Sequence, residues 1–330
     1  MGGLERGAGE AIRNCLSLKE GEKVLIITDI ETLEISTALM QEAKAITDKI
    51  KFFIVEDFQK RPIKSVPLKI LESVSESNVG IMAIQGKEGE LENFRRPVLQ
   101  KVSESRLRFA NMINITQKIM EEGMNANYEE IAKLSNKLYS YLKNAKEIRV
   151  KTEAGSDFTA RFSPSIFWVI SDGQIKEGNW KNLPDGEVFT CPSSVDGKVV
   201  VDGVLGDYFS KKYGLLDSSP LHLKIKEGRV KDVKSVNKSL EKEFLEKLST
   251  DENASRIGEF AIGTNKYIKE LIGNLLQDEK FPGVHIAVGN GYPEKTGSDC
   301  HSAIHIDGVI RKPDVYVDGK MIMRSGGFLI

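Results

Sequence analysis

At 330 residues the chain is long enough for about two domains with ample buried core. Its 47 basic residues against 48 acidic ones leave a formal charge of −1, which argues against nucleic acid or an anionic membrane as partner. No apolar run approaches the length of about 18 residues at which a membrane span is read, and no secretory signal core opens the chain. Three widely spaced cysteines, Cys15, Cys191 and Cys300, fit a reducing cytoplasm better than a disulfide framework.

From the N-terminus, short apolar runs alternate with helical patterns. Val24 to Asp29 reads as a strand, Leu33 to Ala45 as a helix and Phe52 to Val55 as a strand. Leu68 to Val74 gives another helix, and Val79 to Ile84 and Phe109 to Asn114 give two more strands. This rhythm predicts an N-terminal α/β sheet domain. Neither a Gly-x-Gly-x-x-Gly turn nor a Walker loop follows the first strand, so the fold class alone does not make it a nucleotide domain. Ile131, Leu134, Leu138 and Leu142 fall on one face of a long helix from Tyr128 to Ala145, which predicts a first domain over residues 1–146.

Residues 147–330 have a different grammar, and predict a β-rich α+β domain. Strands joined by tight turns run from Ile148 to Phe162, from Leu221 to Val233 around Glu227-Gly228, and from Val315 to Met323 around Asp318-Gly319. Two helical patterns interrupt them, at about Leu240 to Leu248 and Lys266 to Leu276.

Three of the four histidines lie between His285 and Asp307. In a strand, residues i and i+2 share a face, so His305 and Asp307 present an imidazole and a carboxylate together while Ile304 and Ile306 pack behind. His285, inside the apolar run Val284 to Val288, adds a nitrogen from a neighbouring strand. Two nitrogens and an oxygen suit zinc, cobalt, manganese or ferrous iron rather than calcium. His301 is the weakest of the three, because Gly297 and the strand-like run after it argue against a helix that would align it with His305. Upstream, Glu187 and Glu259 each interrupt a strand-like, glycine-flanked apolar segment. A carboxylate there is costly to bury unless paired or metal-bound, so both are candidates for the remaining ligands.

The ordered blocks Gly186-Glu-Val-Phe-Thr190, Gly258-Glu259, His285-Ile-Ala-Val-Gly followed by Tyr292-Pro293, Ser302-Ala-Ile-His305-x-Asp307 and Val317-Asp-Gly319 resemble the aminopeptidase T family of thermophilic metallo-aminopeptidases. The resemblance is strongest in the C-terminal half. It implies metal ligation by Glu187, Glu259, His285, His305 and Asp307, with Tyr292 in a catalytic role beside Glu259. It also implies a pair of divalent ions per chain (zinc, cobalt or manganese), release of N-terminal residues from small peptides, and a cytoplasmic homodimer. One position departs from the pattern: Lys280 stands where the family carries a further metal-binding glutamate, and Glu279, one residue back, is the substitute if the loop shifts. A related branch, the 2,5-dihydroxypyridine dioxygenases, opens aromatic rings with one iron, and His285, His305 and Asp307 would supply its two-histidine, one-aspartate set. No Gly-x-Ser-x-Gly elbow or His-Glu-x-x-His helix is present, which leaves serine-hydrolase and zincin readings without support.

Overall fold

The computed structural model describes residues 2–330 and divides the chain into two compact units. The first runs to Ala132 and takes back Asp172–Asp185, while the second comprises Lys133–Ser171 and Gly186–Ile330. The expected boundary near residue 146 is therefore displaced. The Tyr128–Leu142 helix is divided: Tyr128 donates its hydroxyl to the Gly123 carbonyl at 3.2 Å in the first unit, and Leu138 and Leu142 enter the core of the second.

In the first unit, five parallel strands lie in the order Ile50–Ile54, Val24–Thr28, Val79–Ile84, Arg108–Ile113, Trp180–Asn182. The helices Leu33–Lys44, Leu68–Glu76 and Arg96–Ser103 connect the first four strands in chain order. Every residue of the strands Val24–Thr28, Val79–Ile84 and Arg108–Ile113 is buried, which is why these runs are continuously apolar rather than alternating. At the end of the first strand, Arg61 pairs with the buried carboxylates of Asp29 and Glu90. The Ile63 amide donates to Glu90 Oε1 at 2.7 Å. Burial works to raise the Glu90 pKa, but Arg61 and that amide outweigh it and hold the carboxyl below its ordinary value.

The second unit holds two antiparallel sheets. Eight strands run in the order Arg229–Lys234, Leu221–Lys226, Ser194–Val201, Asp157–Arg161, Glu147–Lys151, Asp314–Val317, Lys320–Arg324, Gly327–Phe328. The other five follow the order His305–Ile310, Gly283–Gly289, Ile257–Gly263, Glu187–Thr190, Val169–Ser171. Apolar residues of both sheets share one core: Ile148, Val150 and Phe158 from the larger, Phe260, Ile262 and Ile286 from the smaller. The hairpins expected between Ile148 and Phe162 and around Glu227-Gly228 and Asp318-Gly319 all form.

The helix expected from Lys266 to Leu276 does not form, and only Leu275–Asp278 is helical. Polar side chains satisfy this backbone in another way. The Asp278 carboxylate accepts from the amides of Ile272, Gly273 and Asn274 at 2.8–3.1 Å, and Gly273 adopts φ +78°, which ends helical continuity. No helix among the described residues is long and apolar enough to cross a membrane.

Candidate metal centre

The smaller sheet of the second unit gathers the expected donors through its register. Ala261 pairs with His285, and Ala287 pairs with both Glu259 and Asp307; Gly289 lies opposite His305, and Gly263 opposite Glu187. Residues directly across a ladder point the same way, so Glu187, Glu259, His285, His305 and Asp307 all rise from one face, contributed by four adjacent strands. The positions between them are alanine or glycine, which leaves room for the five larger groups to converge. Residues of opposite parity, Val188, Phe260, Ile262, Ile286 and Ile306, enter the core.

A bulge tunes this pattern. Ile257 pairs with Val288 and Glu259 with Ala287, leaving Gly258 as the extra residue. Ile257 can then turn into the core although Glu259, two residues on, faces the donors. Glycine is required at 258 because a Cβ would lie 2.2 Å from the Gly289 carbonyl oxygen.

Four of the five donors are buried, with Glu187 7% exposed, Glu259 4%, His285 1% and Asp307 6%, and His305 is partly buried. Their ligand atoms fall into two overlapping groups, Glu187–Glu259–His285 and Glu259–His305–Asp307, each with all atoms within 4.8 Å of one another. Glu259 belongs to both. Its Oε1 lies 3.3 Å from His285 Nε2, and its Oε2 lies 3.6 Å from His305 Nε2. His305 is aimed by its other nitrogen: Nδ1 donates to the Asn290 carbonyl at 2.8 Å, which turns Nε2 toward Asp307 Oδ1 at 3.1 Å.

The site's electrostatics call for a cation. Burial opposes the protonation of His285, yet Glu187 and Glu259 outweigh it and raise the ring to about 10. His305 is likewise raised to about 10 against burial, by Asp307 first and Glu259 next. Glu187 Oε2 and His285 Nε2 are buried, 3.3 Å apart, and not aligned as a hydrogen bond. A divalent ion that displaces the imidazole proton would find two lone pairs there, within a mixed nitrogen and oxygen set.

Tyr292 stands beside this face in a left-handed conformation, φ 50° and ψ 59°, at the start of the Pro293–Thr296 turn of helix. Its ring lies 4.6 Å from the His305 ring and meets Phe189 edge-on at 5.9 Å. Burial, then the charges of Glu259 and Asp307, push the phenol well above its usual pKa, so it stays a hydrogen-bond donor. His301 is exposed and belongs to neither donor group.

Glu279, expected as a weaker ligand, also falls outside both groups; its Oε1 meets the Lys280 ammonium at 2.7 Å. Burial pushes its carboxyl up to about 8 against the pull of Lys280. Lys280 was visible in the sequence only as a departure from a motif. In the fold its ammonium is buried and lies 2.6 Å from Glu187 Oε1.

Three carboxylates and two imidazoles on one sheet face make a candidate metal centre. The chain belongs to the thermophilic metalloprotease family M29, whose profile matches residues 98–328. Among solved structures, wild-type AmpT from Thermus thermophilus is similar with a TM-score of 0.73 and 18% identity, over 99% of each chain. The 2,5-dihydroxypyridine dioxygenase from Pseudomonas putida KT2440 is similar with a TM-score of 0.72 and 16% identity, over 99% of this chain and 96% of that one. At these identities the likeness is one of fold. No curated protein sequence matches the chain.

Proposed function

We propose that this M29 chain is a metal-dependent aminopeptidase that releases N-terminal residues from small peptides. The observation that carries the reading is the convergence of Glu187, Glu259, His285, His305 and Asp307 on one buried sheet face. Glu187, Glu259 and His285 would hold one ion position, and Glu259, His305 and Asp307 the other, with Glu259 reaching into both. Zinc, cobalt or manganese suits either group, and the pair of ions that the family resemblance implies would fill both. When bound, such a metal supplies Lewis acidity that lowers the pKa of a coordinated water toward neutrality and polarises a carbonyl.

The remaining work falls to the chain's own residues. The Asn290 carbonyl fixes the His305 ring and its Nε2 direction. Tyr292, protonated and beside that ring, donates its phenolic hydrogen to the oxyanion that develops on the scissile carbonyl, a contact contributing on the order of 3 kcal/mol. A carboxylate of the cluster receives the free amine of the peptide and so restricts cleavage to the N-terminus. The proposal includes a homodimer.

A second reading has one specific support: His285, His305 and Asp307 share one face and form a two-histidine, one-carboxylate set of the kind that holds ferrous iron with open positions. That reading is a ring-cleaving dioxygenase. The two separate in one assay series on protein purified without chelators. Hydrolysis of aminoacyl chromogenic substrates with added cobalt, zinc or manganese is expected. Bound iron, no hydrolysis and oxygen uptake on 2,5-dihydroxypyridine would overturn the peptidase and establish the second reading.

A further inference from the structure

The buried ammonium of Lys280 is an unusual occupant of a face built to attract metal cations. It is 2% exposed and lies 2.6 Å from Glu187 Oε1 and 2.7 Å from Glu279 Oε1. Its backbone is fixed at the turn that leads into the His285 strand. The Lys280 amide donates to the Gln277 carbonyl at 2.9 Å, and its carbonyl accepts from the Asn265 amide at 2.9 Å. The adjoining chain presses on the Glu259 strand so closely that a Cβ on Gly263 would lie 2.1 Å from the Phe281 carbonyl oxygen and 2.8 Å from the Lys280 carbonyl. With its backbone anchored and its ammonium buried between two carboxylates, the side chain has little freedom to withdraw and make way for an ion.

Charge leads to the same conclusion. Glu187, Glu259 and Asp307 are the carboxylates of the two donor groups, and one of them, Glu187, is already engaged by the ammonium. With neutral imidazoles as ligands, those three carboxylates attract cations, and the ammonium, shared between Glu187 and Glu279, already offsets part of their charge before any metal binds. A second dication would share Glu187 with the ammonium, and two cations on one buried carboxylate repel at short range where water screens little.

We propose that the Lys280 ammonium takes the place of a second metal ion, so that the centre binds a single divalent ion per chain. The inference rests on the metal-centre reading above and narrows it. Lys280 acts through Glu187 and is a positioning residue.

Metal counting on the full chain tests it without recourse to activity. The protein is stripped with chelator, titrated with Mn²⁺ or Zn²⁺ in a calorimeter, and analysed for metal after dialysis. One ion per chain is expected for the parent and two for Lys280→Gln, which removes the charge while keeping a polar side chain. The manganese-loaded parent should give the electron paramagnetic resonance spectrum of an isolated ion, and the variant that of a coupled pair. Circular dichroism establishes that the variant is folded, and Lys280→Met replaces it if it is not. Two ions in the parent, or one in a folded charge-free variant, overturns the role of Lys280 alone. A parent that takes up no ion overturns the metal centre itself.

Discussion

His305 Nδ1 is committed to the Asn290 carbonyl, so the ring can offer only Nε2 to the interior of the site. The same economy governs Glu259, whose two oxygens face different histidines. Glu259→Ala, which removes the carboxylate common to both donor groups, is therefore expected to weaken metal binding more than Glu187→Ala or Asp307→Ala. Each of the latter should lose roughly tenfold or more, the scale seen even when an outer hydrogen-bond partner of a metal ligand is removed. Calorimetric titration of the metal-stripped variants ranks them, and unchanged affinity in Glu259→Ala would remove this residue from the centre. His305 and Asp307 were legible because a single strand repeat places them together. Lys280 was not, because whether a lysine beside Glu279 turns outward or under the sheet depends on chain packing that spacing does not encode.

The register of the four-strand ladder does what no individual residue can. Spacing along the sequence proposes that Glu187, Glu259, His285 and His305 each sit in a strand, but strand neighbours are chosen by long-range pairing, and no local signal orders them. The bulge at Gly258 was equally hidden, since strict alternation would put Ile257 and Glu259 on the same face. Gly258→Ala forces a methyl against the Gly289 carbonyl oxygen and pushes apart the Glu259 and His285 strands. A loss of about 1–3 kcal/mol in urea unfolding, the usual cost of overpacking, is expected together with weaker metal binding. The segment from Lys266 to Leu276 shows the opposite failure: its apolar spacing is helical, yet the Asp278 carboxylate and Gly273 give its backbone a better alternative.

At the scale of the whole molecule, the two units depend on buried charge in different ways. In the first, Arg61 pairs with both Asp29 and Glu90; Arg61→Leu should cost about 3–5 kcal/mol at neutral pH, as expected when one partner of a buried ion pair is lost. Because the Glu90 pKa is depressed in the folded protein, its contribution is present above the unfolded carboxylate value and disappears as pH falls through the folded one, so the deficit should shrink in acid. Denaturant titrations at neutral and acidic pH measure both effects. In the second unit a bound ion stabilises by mass action, by about 4 kcal/mol at a free concentration a thousand times its Kd. Chelation should therefore lower the melting temperature, and a melting curve indifferent to chelator would contradict tight metal binding. The excursion of Asp172–Asp185 bears on how the protein can be dissected. A fragment ended near residue 146 omits Trp180–Asn182 and uncovers the fully buried Arg108–Ile113 strand as a bare sheet margin. Such a fragment is expected to self-associate in light scattering, whereas one that joins residues 2–132 to 172–185 through a flexible linker should remain monomeric.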